Sequence, residues 1–97
     1  YFKQRVNYVI KEREWLLREL AKIDGALPYP SDTNFILTKI TRGGLSSSTV
    51  TKRLRKRNIL VKDRGDHPLL RNCFRVTVGT HYMNETFISA LKEALEE

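Results

Sequence analysis

The 97 residues carry 18 Lys and Arg against 11 Asp and Glu, a single cysteine and a hydrophobic fraction of 40%. The length suits one small domain with one modest core, and the apolar fraction argues against wholesale disorder. A lone cysteine excludes both an intramolecular disulfide framework and a cysteine-based zinc site. No apolar run approaches the ~20 residues of a bilayer-spanning helix, and the first residues do not read as a signal peptide.

The net charge of +7 invites a nucleic-acid or anion-binding reading, but its distribution is uneven. Arg42, Lys52, Arg53, Arg55, Lys56, Arg57, Lys62, Arg64 and Arg71 form one basic segment opposed only by Asp63 and Asp66, and the remainder of the chain is neutral. Two readings of that segment stand: a recognition helix, or an ordinary basic face beside one anion site. The cluster at 52–57 is taken as a solvated helix surface.

In chain order, residues 2–23 are predicted to be a helix. Phe2, Val6, Val9, Leu16, Leu20 and Ile23 fall at helical spacings, with Leu17 beside them and Arg13 snorkelling from the edge. Glu14 and Arg18 make a favourable i,i+4 pair, and Asp24-Gly25 stops the helix. The start has no cap and the chain ends on helical sequence, with Glu96 and Glu97 unfavourable for the dipole, so a piece of a longer protein is expected. Pro28 and Pro30 then block a helix and favour extended backbone.

Residues 34–40 read as a strand, one of Ser46, Ser47 or Ser48 as the cap of a helix over 48–58, and 59–63 as a second strand. A turn-rich connection leads to a third strand, 73–79. Its alternation sets Phe74, Val76 and Val78 on one face and Cys73, Arg75 and Thr77 on the other. Thr80 caps a last helix with Met83, Phe87, Leu91 and Ala94 or Leu95 on its apolar face.

Right-handed strand–helix–strand connection and a short return put the third strand in the middle. The expected fold is α+β in two layers. It has a three-stranded, mixed, mainly antiparallel sheet in the order 1-3-2 and helices on one face.

Arg75 is the sharpest single signal. A guanidinium on a central strand is costly to desolvate unless paired, and its fork suits a carboxylate or phosphate. A structural ion pair with an acid of this chain is the competing explanation. Lys62 falls on the same face by alternation, as a second cation for an anionic guest or as an edge-blunting lysine. Asn34 begins the first strand, where it can reach that face or cap the preceding loop. His67 and His81 lack metal-ligand partners at useful spacing and are expected to be exposed. Cys73 reads as a small buried apolar residue, and the serine run as capping. Gly43-Gly44 is a turn, since no phosphate-loop pattern follows it. No self-contained catalytic set emerges.

Three blocks, "YPSDTNFIL", "NILVKDRG" and "CFRVTVGTHYMNETFISALKE", occur in that order. They resemble the C-terminal small domain of histidinol-phosphate aminotransferases, which are class I/II, fold-type I pyridoxal-phosphate enzymes. The resemblance makes 1–24 the helix that connects the large and small domains, and 34–97 the sheet and helices of the small domain. It implies that Arg75 binds the carboxylate or phosphate of the substrate. Lys62 takes a place where such enzymes usually have a second arginine, keeping the charge but losing the fork. Asn34 matches the Asn-Phe block, as a structural residue or one lining the site. The usual acidic pair after "GT" is replaced by Tyr82 and Met83, and threonine-phosphate decarboxylases share the fold.

The resemblance also implies that pyridoxal phosphate, its Schiff-base lysine and its Asp partner belong to a large domain absent from this chain. Lys39, Lys52 and Lys62 are not in the lysine motif. This portion alone is then expected to bind no cofactor and to be inactive. The full-length enzyme is expected to be a cytoplasmic homodimer acting on a small phosphorylated or amino-acid substrate, with no nucleic-acid or membrane partner. Two readings compete with it: a winged-helix-like DNA-binding module built on the basic helix, and a scaffold or dimerisation piece without a site.

Overall fold

The computed structural model describes residues 2–97, with side chains from residue 3 onwards. Three helices and four strands follow one another as α1 (Phe2–Ala21), β1 (Ala26–Pro28), β2 (Phe35–Ile40), α2 (Ser47–Lys56), β3 (Lys62–Asp63), β4 (Cys73–Thr77) and α3 (His81–Glu96). The strands form one sheet in the order β1-β2-β4-β3, and every pairing is antiparallel. The order expected for three strands is therefore kept, but the sheet has four strands and is not mixed.

The additional strand is β1. Ala26 pairs with Ile40 and Pro28 with Thr38. A proline fits here because β1 is an edge, where a missing N–H removes no bond from a further strand. The second expected strand shrinks to Lys62–Asp63. Asn58 adopts a left-handed conformation (φ 63°) and ends α2, and residues 59–61 become a link packed on the core by Ile59 and Val61.

The core lies between the helices and one sheet face. Leu16 and Leu20 of α1, Ile36 and Ile40 of β2, Val50 and Leu54 of α2, Phe74 of β4 and Leu91 of α3 are all essentially inaccessible. The Phe74 and Phe87 rings meet edge to face, with centroids 6.1 Å apart. Only the C-terminal half of α1 contributes to it, since Val6, Tyr8 and Ile10 are exposed. The packing expected of Phe2 lies outside the described side chains. No ion pair joins Glu14 and Arg18; Glu19 pairs with Lys22 instead. On α3, Met83 is exposed and Asn84 is buried in its place. The buried stripe is thus rotated from the apolar pattern by one polar residue.

The turns are made by short-range chemistry. Ser46 caps α2 by accepting from the Thr49 N–H at 3.1 Å, and Thr80 caps α3 by accepting from that of Met83. Gly25 takes φ +99° after α1, and Arg42 crosses directly over it. Gly65 is fixed by close approach. Ser47 Oγ and the Gly65 N–H both donate to Asp63 Oδ1, at 2.7 and 2.9 Å, tying β3 to the start of α2. A methyl group at Gly65 collides with Ser47 Oγ and comes within 3.1 Å of that carboxylate oxygen. Gly65→Ala is expected to cost about 1–3 kcal/mol, read as a lower urea midpoint with an unchanged denaturant slope.

The basic helix is not a freely solvated surface, which corrects the sequence reading. Arg57 pairs with Glu93 and Glu97, and Lys56 and Arg53 also reach Glu97. Arg53 donates to the Ala94 carbonyl at 2.9 Å, and Arg42 to that of Leu95 at 3.0 Å and to Glu96 at 2.8 Å. Guanidinium groups from elsewhere in the chain therefore occupy the carbonyl end of α3 and neutralise the acids that were unfavourable there. The Arg57 hydrogen bond, with help from Lys56, holds the Glu97 carboxyl below its ordinary range. A lowered carboxylate contributes stability that is complete above its unfolded pKa and is lost as pH falls through the folded value. Thermal unfolding followed from neutral to acid pH should show this loss, reduced at high salt because the cluster is exposed.

Candidate functional site: the outer face of the sheet

The sheet face turned away from the helices carries the candidate site. Antiparallel register sets Lys62 of β3 and Leu37 of β2 on either side of Arg75 of β4. Residues directly opposite share a face, so Lys62 and Arg75 stand side by side on it. Phe35 lies diagonally across, opposite Thr77, and its ring is 4.4 Å from Arg75 Cζ. Lys39 faces Cys73 further along the same face, and alternation places no acidic residue there.

Among the described residues, neither Arg75 nor Lys62 has an ion pair or a side-chain hydrogen bond, so a structural ion pair does not explain Arg75. A half-buried guanidinium with five free donors and a second cation across the ladder is poorly compensated. Like charges directly opposite on a sheet repel. What such a pair can do chemically is bind an anion, with the Arg75 fork supplying direction and the Lys62 ammonium charge.

Asn34 does not join them. Alternation from Ile36 turns it to the opposite face, and its carbonyl accepts from the Val78 N–H at 2.8 Å. It borders a groove of about 400 Å³ with Val6, Val9, Arg13 and Thr33. Arg13 donates to the Thr33 carbonyl there, fastening α1 to the turn before β2.

His81 is exposed, as expected, at 46%, and is also engaged by its neighbours. Its Nδ1 is 3.0 Å from Glu12 Oε1 and its Nε2 is 3.3 Å from Glu85 Oε1. The Trp15 ring meets it edge-on, and the His81 N–H donates to the Tyr8 hydroxyl. Asn84 completes a buried polar junction between α1 and α3. Its Nδ2 donates to Glu12 Oε1 at 3.0 Å and to the Gly79 carbonyl at 3.1 Å, and its Oδ1 accepts from the Gly79 N–H at 3.0 Å. Periodicity, which counts apolar positions, has no means of finding that junction. His67 is exposed, its Nδ1 accepting from the Leu69 N–H. Cys73 is buried as expected, and burial raises its thiol pKa against a smaller opposing influence of Lys39. No group of three His, Cys, Asp or Glu able to hold a metal occurs among the described residues.

Comparison with known proteins gives this geometry a family. A family model for aminotransferase class I and II matches residues 1–91. The chain belongs to the class I and II aminotransferases. A histidinol-phosphate aminotransferase of Caldanaerobacter subterraneus is 43% identical over 96% of the chain. The chain spans only 25% of that relative's length.

Two solved structures of other proteins share the fold of this aminotransferase segment. The histidinol-phosphate aminotransferase of Clostridium acetobutylicum superposes with a TM-score of 0.87 over 97% of the chain and 28% of its own, at 22% identity. The L-threonine-O-3-phosphate decarboxylase of Porphyromonas gingivalis does so with 0.80 over 90% of the chain and 27% of its own, at 27% identity. The winged-helix reading falls with these matches and with the engagement of Arg53, Lys56 and Arg57 by α3. No helix among the described residues is long and apolar enough to cross a membrane.

Proposed function

We propose that the chain is the C-terminal small domain of a histidinol-phosphate aminotransferase, with α1 as the connecting helix, and that Arg75, assisted by Lys62, holds the acid group of the substrate. The supporting observation is the Arg75 guanidinium, without an ion pair or hydrogen bond among the described residues, beside a second cation on the outer sheet face. A carboxylate or phosphate docked in the guanidinium plane receives parallel N–H donors, and the neighbouring ammonium adds attraction without fixing direction. Asn34 serves the site from behind, by fixing the start of β2 through the bond from Val78.

Pyridoxal phosphate, which the family uses, supplies the electron sink for transamination. The residues present do not fit as its pocket: the outer face offers Lys39, Lys62 and Arg75 but no acid for a pyridinium nitrogen. In this reading a large domain outside the chain holds the cofactor, and the whole enzyme is a cytoplasmic homodimer.

Threonine-phosphate decarboxylation is the second reading, favoured by the match to a solved decarboxylase. The deciding experiment assays the full-length enzyme for amino transfer between histidinol phosphate and 2-oxoglutarate, and for CO2 release from threonine phosphate. Amino transfer without CO2 release supports the first reading, and the converse result replaces it with the second.

A further inference from the structure

Among the described residues the Arg75 guanidinium has no ion pair or side-chain hydrogen bond, and its Cζ lies over the ring of Phe35, 4.4 Å from the centroid. Phe35 is itself 36% exposed, so the ring is not placed there by burial alone. Its backbone is pinned. The Phe35 N–H donates to Thr33 Oγ1 at 3.1 Å, and its carbonyl accepts from the Thr33 hydroxyl at 3.3 Å as well as from Ser31 Oγ. A diagonal neighbour on a sheet is within reach of an aromatic and a long side chain, and the negative face of the ring attracts the cation.

We infer that Phe35 is a positioning residue whose ring, lying beneath Arg75 Cζ, holds the guanidinium in place for anion binding. A flexible arginine side chain loses much rotamer freedom when it captures an anion. The ring absorbs part of that loss beforehand while using none of the five N–H donors. The N–H donors stay available for a bidentate carboxylate or phosphate oxygen pair. An aliphatic residue at position 35 would fill the same space on the sheet without offering a negative face.

The inference rests on Arg75 binding the acid group of the substrate, and the experiment separates the two. Full-length enzyme carrying Phe35→Leu, Phe35→Tyr, Arg75→Ala or the Phe35→Leu/Arg75→Ala pair is assayed with L-glutamate as amino donor. Phe35→Leu is expected to raise KM about fivefold with kcat unchanged, Phe35→Tyr to restore it, and the double variant to be no worse than Arg75→Ala. Mono-, di- and trifluorinated phenylalanine at position 35 weaken the face of the ring at nearly constant shape, and KM should climb stepwise along that series. An unchanged KM in Phe35→Leu and a flat fluorination series, with Arg75→Ala impaired, overturn the role of Phe35 alone. Equal losses from Phe35→Leu with and without Arg75 also overturn it. Normal glutamate binding by Arg75→Ala overturns the reading beneath it. Should Phe35→Leu fail to fold, the fluorinated series decides by itself.

Discussion

Arg75→Ala in the full-length enzyme is expected to raise KM for the acidic substrate about tenfold to a hundredfold, since hydrogen bonds to charged groups contribute about 1.5–3 kcal/mol. Among the described residues the side chain has no ion-pair or hydrogen-bond partner, so its removal orphans no acid there. Stability should change little, as read by the same urea titration used for the other variants. Arg75→Lys keeps the charge but not the fork, and should fall between wild type and Arg75→Ala. Steady-state kinetics with L-glutamate and with histidinol phosphate reads both. A loss of stability without any change in KM would falsify a binding role and return Arg75 to the architecture of the sheet.

Asn84→Ala is expected to have the opposite profile, a large loss of stability. Asn84 is 2% exposed and satisfies both the N–H and the carbonyl of Gly79 while donating to Glu12, which is itself buried. Truncation leaves two backbone groups and a carboxylate short of partners. At about 1–3 kcal/mol for each buried group left unsatisfied, a total near 3 kcal/mol is expected after water enters to replace some bonds. Asn84→Asp should be no better, because it exchanges the donor facing Glu12 for a second carboxylate. Urea unfolding of Asn84→Ala, Glu12→Ala and the double variant measures the coupling, which should be strongly non-additive. Additive losses would mean that the junction does not act as a unit.

These two residues also mark what was legible in the sequence. Arg75 was found because strand alternation has period 2 and makes a cation among apolar neighbours conspicuous. Its adjacency to Lys62 followed from the strand order, which handedness and connection length constrain. The Phe35 contact was not legible, since it depends on the register between β2 and β4. Asn84 was missed because a buried polar residue looks like a gap in an apolar stripe, and Met83 beside it drew the face to itself. The strand β1 was hidden by Pro28, which argues against a strand unless the edge position is known. The role of the basic helix was hidden by distance along the chain. Lys56 and Glu97 are 41 residues apart, and no local pattern couples them.

The side-by-side cations have a consequence for the empty sheet. Lys62 and Arg75 face one another across the ladder, where like charges repel, and an anion bound as proposed would remove that repulsion. Part of the binding affinity would then be relief of a penalty carried by the unliganded protein. A neutral residue in place of Lys62 would make the empty sheet more comfortable and the liganded one less rewarding. Under the proposed role, durability and recognition pull in opposite directions at this one ladder pair.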